Sequence, residues 1–291
     1  MEIGLFAINY GTCADPETAV RVARHAEAAG FESVWTGEHL VLPTRPPEGF
    51  TIPATLAFLD TLVALTLVAA HTTTMKVASG IIELPLHHPV SLAKQLASVD
   101  QVARGRLIVG IGAGYLEPEF AAMGVGLDER ADRMDEHLDA MRALWTMDAP
   151  EYHGRYVDFA GVDAFPRPTG PTGPPIVVGG VSASARRRAV MKAGGWYVFN
   201  ANREQAREAV DAIRTDLDRY ERPAGLGPLE LTVTPSGRFD AEAAEYYDEL
   251  GVDRLVLLPR ADVPTVSRHD PVPADAILRM IDTVATTVIG R

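Results

Sequence analysis

Short apolar runs alternate with longer stretches whose apolar positions recur every three or four residues, along the whole chain. The short runs at 2–8, 33–36, 76–79, 106–110, 175–178, 196–199, 230–233 and 254–258 have the length and composition of strands. The stretches at 16–29, 58–71, 89–103, 128–147, 182–193, 203–220, 241–250 and 274–288 read as helices. Punctuation agrees with the pattern. Asp15 stands where an N-cap belongs, Pro16 at the first helical position and Gly30 just past the end. Strand–helix units in this succession predict an α/β fold, a (β/α)8 TIM barrel. A Pro- and Gly-rich stretch before the fifth strand marks an insertion around residues 148–174. No linker divides the chain, so 1–291 is expected to form a single domain. A doubly wound open sheet is the alternative. Its Gly-rich first turn is missing, since Ile8-Asn9-Tyr10-Gly11-Thr12 has one glycine.

Composition narrows the partners. With 47% hydrophobic and 23% charged residues over 291 positions, the chain has the balance of an ordinary enzyme with a large core. A net charge of −12 argues against nucleic acid or an anionic membrane as a partner, so any anionic ligand must be held by local donors. The single cysteine, Cys13, excludes an intrachain disulfide, suits a reducing compartment and reads as structural. The start Met1-Glu2-Ile3-Gly4 has no basic leader, and the apolar stretch 56–70, interrupted by Asp60, is too short to span a bilayer. A soluble cytoplasmic protein acting on a small molecule is expected.

In such barrels chemistry sits at the C-terminal ends of the strands. The fourth strand ends in Gly110-Ile111-Gly112-Ala113-Gly114-Tyr115, cleared of side chains for a bulky group to approach. It is not a dinucleotide fingerprint: the third glycine would fall at 115 or 117, which are Tyr and Glu. Beyond the second strand, Glu38-His39 offers a group that titrates near neutrality, or a histidine that merely bonds its neighbours. The third strand leads through Ser79-Gly80-Ile81 to His87-His88. Adjacent histidines diverge and no second ligand pair follows, so no metal is predicted. After the fifth strand, Val178-Gly179-Gly180-Val181-Ser182 reads either as an anion site at a helix start or as a capped helix after a tight turn. Arg186, Arg187 and Arg188 fan out around that helix, so at most one or two face a ligand.

Several segments, taken as an ordered set, resemble the luciferase-like family of flavin and deazaflavin monooxygenases and oxidoreductases. They are Glu27-Ala28-Ala29-Gly30-Phe31-Glu32-Ser33-Val34-Trp35, Pro89-Val90-Ser91-Leu92-Ala93-Lys94-Gln95, Gly110-Ile111-Gly112-Ala113-Gly114-Tyr115 with Glu119-Phe120, and Pro174-Pro175-Ile176-Val177-Val178-Gly179-Gly180. The run Arg130-x-x-Arg133-x-x-Glu136, through Leu144-Trp145 to Tyr152-His153-Gly154-Arg155-Tyr156, is also typical. The likeness covers about residues 1–199 and is greatest to the branch that uses the deazaflavin F420.

The resemblance implies a barrel with an insertion and a tricyclic cofactor across the strand ends. A bulge after strand three, often with a non-proline cis peptide, supports the ring in such proteins; Ser79 and Gly80 match it, with Ile81 close by. The phosphate-binding turn matches Val178, Gly179, Gly180 and Ser182. A histidine near the reactive face of the ring matches His39, as proton donor or cofactor contact. Glu38, Trp35 and the loop 43–53 are expected to shape the pocket, and Gly112, Ala113 and Gly114 to keep its floor low. The implied reaction is hydride transfer between F420 and a small organic substrate, with His39 or Tyr115 handling a proton. Sugar-phosphate dehydrogenases of this branch carry glutamate where this chain has Tyr115, and another residue at Gly194, which puts a sugar-phosphate substrate in doubt. Tyr115 stacks on the ring, donates a proton or is structural. The rivals are an FMN-dependent monooxygenase using O2 and a non-catalytic flavin-binding member. A barrel aldolase is disfavoured by the lack of a strand-end lysine. A homodimer is expected from the resemblance.

Overall fold

Parallel strands close into a ring in the computed structural model, which describes residues 1–237, 239–259 and 271–290. The strands are β1 (Glu2–Leu5), β2 (Ser33–Thr36), β3 (Lys76–Ser79), β4 (Leu107–Gly112), β5 (Ile176–Gly179), β6 (Gly195–Ala201), β7 (Glu230–Pro235) and β8 (Arg254–Leu257). Each pairs with its neighbour in the chain, and β1 pairs with β8 from Glu2 opposite Arg254 to Leu5 opposite Leu257. This is the expected (β/α)8 barrel, without a free sheet edge. A two-residue continuation beyond β3, Ile82–Glu83, pairs with the upper end of β4.

The helices are α1 (Pro16–Ala28), α2 (Thr61–His71), α3 (Pro89–Ala103), α4 (Glu117–Ala122), α5 (Arg130–Thr146), α6 (Ala183–Lys192), α7 (Arg203–Arg219), α8 (Ala241–Glu249) and α9 (Ala274–Val284). Capping sets their starts. Asp15 accepts the Thr18 N–H at 2.9 Å, as read from the sequence. Asp60 accepts from Leu62 and Val63, so α2 begins at Thr61; Phe58, assigned to that helix by its apolar pattern, instead bridges to Tyr10. The helix α4 was not legible at all, being short and lacking an apolar period.

Two cores result. A large outer one lies between the strands and the helices; Cys13 belongs to it, and burial pushes its thiol up to about 12, which suits the structural role. A smaller one fills the barrel lumen with Phe6, Trp35, Ala78, Ile108, Val177, Tyr197 and Val256. Trp35, expected at the pocket, is wholly buried in this plug and bonds Ser33 Oγ. At the N-terminal ends of the strands, the plug rests on Arg254, only 1% exposed. Its guanidinium is forked onto Glu32 at 2.9 and 3.0 Å, pairs with Glu230, and lies 5.7 Å from the Trp35 ring. Lys76 adds a 2.6 Å contact to Glu32.

The insertion holds a small hairpin, Tyr152–His153 against Asp158–Phe159. Glu136 on α5 accepts the N–H groups of Arg155, Tyr156 and Val157, and Arg133 covers the Tyr156 ring at 4.3 Å. The spaced Arg133 and Glu136 therefore fasten the insertion to the barrel. Among the described residues, no helix is long and apolar enough to cross a membrane.

Removing Arg254 takes the fork from Glu32, which keeps Lys76, and removes the base on which the plug rests. Arg254→Ala is therefore expected to lower unfolding stability by about 1–3 kcal/mol, measured by urea denaturation.

Candidate active site

The C-terminal strand ends open into a cleft of about 1650 Å³. Its floor is set by the segment just beyond β3. Ser79 Oγ donates to the Gly110 carbonyl at 2.8 Å and accepts the Gly110 N–H at 2.9 Å, replacing a ladder rung where β3 leaves the sheet. The Gly80–Ile81 peptide bond is cis. The cis bond thus lies one residue beyond the Ser79–Gly80 pair that the resemblance matched.

Ile81 then turns inward over the lumen plug, and three glycines make its seat. A Cβ on Gly110 would lie 2.0 Å from the Ser79 carbonyl; one on Gly112 would lie 2.3 Å from Ile81 Cδ1, and one on Gly179 would lie 2.8 Å from Ile81 Cγ2. This corrects the reason for the cleared strand end. Gly112 keeps room for Ile81 first, and Ile81 faces the cleft above it. Gly114, at φ +74°, has Phe120 where a Cβ would go and lies against the Glu83 carboxyl.

His39, Tyr115, Glu38, Gly80 and Ile81 line the cleft, as do Gly112, Ala113, Gly114, Gly179, Gly180 and Ser182. Ser79 and Val178 do not line it: both are fully buried, Ser79 as the strand tie and Val178 in the β4–β5–β6 ladder. Glu38 turns its carboxylate inward, accepting the Glu83 N–H at 2.6 Å and meeting His87 Nε2 at 3.1 Å. Burial opposes charging of His87, but Glu38 outweighs it and raises its pKa.

The group beside His39 is one that the sequence did not single out for chemistry. Glu119, on the unforeseen helix α4 and wholly buried, meets His39 Nδ1 at 2.9 Å through one oxygen. Its other oxygen accepts from the Leu40 and Val41 N–H groups at 2.5 and 3.3 Å. The contact defines the tautomer, because Nδ1 must carry the proton it donates to a carboxylate. Asn9 fixes the approach, bonding both the N–H and the carbonyl of Gly37 at 2.8 Å.

Glu83 completes the cluster, with one ligand-capable atom from each of His39, Glu83 and Glu119 lying within 4.8 Å of the others. It is 2% exposed, and one of its oxygens has no partner among the described residues. Burial first, then the Glu119 and Glu38 charges, push its carboxyl far above the usual range, to about 9. A protonated Glu83 bonding Glu119 accounts for the spacing without a metal ion.

Aromatic rings frame the imidazole. Phe58, Phe50 and Tyr115 stand edge-on to His39 at 5.7, 6.0 and 6.2 Å. Tyr115 is exposed on the cleft, at 62%; desolvation of its phenol first, then the Glu83 and Glu119 carboxyls, raise its pKa, so it remains a proton donor at neutral pH. Phe50 comes from the loop expected to shape the pocket; that loop also brings Arg45 and Glu48 to the cleft.

At the opposite wall, Gly180 at φ +110° turns the chain into α6. Ser182 caps the helix, accepting the Ala185 N–H at 3.2 Å, and its hydroxyl lies 3.1 Å from that of Ser184. Of the three arginines, Arg188 is forked onto Asp135 at 2.9 and 2.7 Å. Arg186 pairs with Asp216 at 2.6 Å and holds the Val181 carbonyl at 2.7 Å. An anion here meets N–H groups and hydroxyls rather than an unpaired guanidinium of Arg186 or Arg188.

The sequence profile of luciferase-like monooxygenases matches residues 1–271. The chain belongs to this family. An uncharacterised protein from Mycobacterium tuberculosis is 26% identical over 281 residues, 94% of each chain. The FMNH2-dependent dimethylsulfone monooxygenase of Pseudomonas fluorescens is 34% identical over 230 residues, 77% of this chain and 59% of that one. An F420-dependent secondary alcohol dehydrogenase, crystallised with an F420–acetone adduct, shares the fold with a TM-score of 0.77 at 16% identity, covering 99% of this chain and 98% of that one. By their names, the dimethylsulfone monooxygenase uses FMNH2 and the dehydrogenase of the same fold uses F420.

Glu119 is the anchor of the segment that carries His39. Glu119→Ala is expected to speed hydrogen exchange at the Leu40 and Val41 amides by about tenfold or more while the strand amides stay protected.

Proposed function

We propose that this protein is an oxidoreductase that binds F420 in the strand-end cleft and exchanges a hydride with a small organic substrate. The observation that carries the reading is His39, just past β2, with Nδ1 held by buried Glu119 and Nε2 without a hydrogen bond among the described residues. Deazaflavin members of the family carry a histidine at the matching place.

The residues present fit such a cofactor. Ile81, seated in its glycines, offers an apolar support for a flat ring. Gly179, Gly180 and the first turn of α6, with the Ser182 and Ser184 hydroxyls, would hold a phosphate. F420 when bound supplies the hydride chemistry. His39 holds or accepts a proton at Nε2, and Glu119 fixes the ring so that this nitrogen serves the substrate. Tyr115, still protonated at neutral pH, is the second donor within reach of the same space. Phe50, Phe58 and the loop between β2 and α2 exclude water from one side.

A second reading has its own support. The identity to the dimethylsulfone monooxygenase favours reduced FMN and O2, and the same phosphate turn and ring support serve either cofactor. A homodimer fits both readings: α2 and α3 pack side by side and leave Val63 and Val102 at 54% and 40% exposure.

Titration of the apoprotein with F420 and with FMN, followed by fluorescence, separates the two. Tight F420 binding is expected; tight FMN binding with no response to F420 would overturn the cofactor assignment. His39→Ala is expected to bind F420 within a few-fold of wild type and to lose about 10²–10⁴-fold in turnover.

A further inference from the structure

We infer that Glu83 and Glu119 hold one proton between them beneath His39, with Glu119 the anion and Glu83 the neutral acid that donates to it. The geometry carries this. Both carboxyls are deeply buried, at 2% and 0% exposure, with Glu83 at the cleft wall, and they lie within 4.8 Å of each other. Both Glu119 oxygens already accept N–H donors, from His39 on one side and Leu40 and Val41 on the other. Glu83, by contrast, has an oxygen with no partner among the described residues. A lone buried carboxylate of that kind is costly, whereas a carboxylic acid donating to a neighbouring carboxylate is satisfied.

The surroundings point the same way. The charged neighbours acting on Glu83 are Glu119 and Glu38, both acidic. Glu38 arrives from the end of β2 and is itself tied to His87, which also feels Asp60. Tyr115, from beyond β4, contributes a neutral phenol, whose pKa desolvation and then the Glu83 and Glu119 carboxyls raise. On the α5 side, His137 Nδ1 lies 3.2 Å from the Leu84 carbonyl, and burial holds its pKa down, so it adds no positive charge at neutral pH. Sharing one proton keeps the pair at a single negative charge, which sits on Glu119 among the His39, Leu40 and Val41 N–H donors. Two ionised carboxylates would put a second charge on Glu83, one of whose oxygens has no donor among the described residues.

Glu83 is therefore a positioning residue: it keeps Glu119 in the state that orients His39. Its catalytic meaning rests on the proposed role of His39, but its protonation does not, and the test separates the two. Infrared spectra of the full-length apoprotein should show a buried carboxylic C=O band at neutral pH. The band should be absent in Glu83→Gln and should fade in the wild type as pH rises toward about 9. A raised folded pKa sets the sign: the neutral acid is present below it and is lost as pH rises through it. Glu83→Gln removes the group that ionises, so the alkaline decline in turnover shown by the wild type should vanish in it. In Glu119→Gln, the C=O band should fade about one pH unit or more earlier, which carries the test if Glu83→Gln fails to fold. Absence of the wild-type band, its persistence in a folded Glu83→Gln, or an unmoved transition in Glu119→Gln would overturn the inference. So would one equivalent of Zn²⁺ or Mn²⁺ bound in calorimetry and lost on Glu83→Gln. A correct infrared result with no F420 binding would sink the proposed function alone.

Discussion

The site depends on how one segment, 79–83, is seated where β3 leaves the barrel. Ser79 closes the gap with two hydrogen bonds to Gly110, and Ile81 fills the space left by Gly112 and Gly179. The Glu83 N–H is then caught by Glu38 from the neighbouring strand. One local departure from the ladder thereby sets the apolar support, the position of Glu83 and the orientation of Glu38. Packing leaves no freedom here: below the segment lie Phe6, Trp35 and Tyr197, and these rest in turn on the Arg254 cluster at the far end of the barrel.

Electrostatics divides the two ends of the molecule. At the N-terminal strand ends, Arg254 is satisfied by Glu32 and Glu230, an arrangement for stability. At the C-terminal ends, Glu38, Glu83 and Glu119 converge beside the His39 and His87 imidazoles, and the charged neighbours acting on Glu83 among the described residues are both acidic. An acidic cluster partnered by imidazoles alone is poor design for stability. It is what a site needs if a histidine must be held in one tautomer and kept ready to carry a proton. The opposite wall is built the other way, from the Gly179–Gly180 turn and the Ser182 and Ser184 hydroxyls at the start of α6.

The sequence carried the barrel because its alternation of short apolar runs and amphipathic stretches was unbroken, and because Asp15, Pro16 and Gly30 marked boundaries by residue type alone. Strands β2 and β3 fall where the pattern put them, and β4 runs two residues further because Ile111 and Gly112 pair with Ile82 and Glu83. His39 was legible as a titratable residue just past a strand. Its partner was not: Glu119 lies on a helix of six residues, α4, with no period to announce it. Glu83 was hidden for a different reason, since a carboxylate two residues from Ile81 reads as an ordinary loop residue until the fold buries it. The glycines of β4 announce cleared space by residue type, but that Ile81 enters part of it is hidden, because Ile81 comes from beyond another strand. Ser79 and Val178 were matched to the site by family pattern, and each sits beneath the wall that it supports.

The central claim is that the glycine seat of the segment after β3 determines the cofactor shelf. Gly110→Ala tests it most directly, because its added carbon would meet a backbone carbonyl rather than a movable side-chain tip. Cofactor affinity of the folded variant, measured by fluorescence titration beside wild type, should fall by about tenfold or more, with unfolding stability lowered by about 1–3 kcal/mol. A folded Gly110→Ala protein with wild-type stability and unchanged affinity for both F420 and FMN would contradict the account.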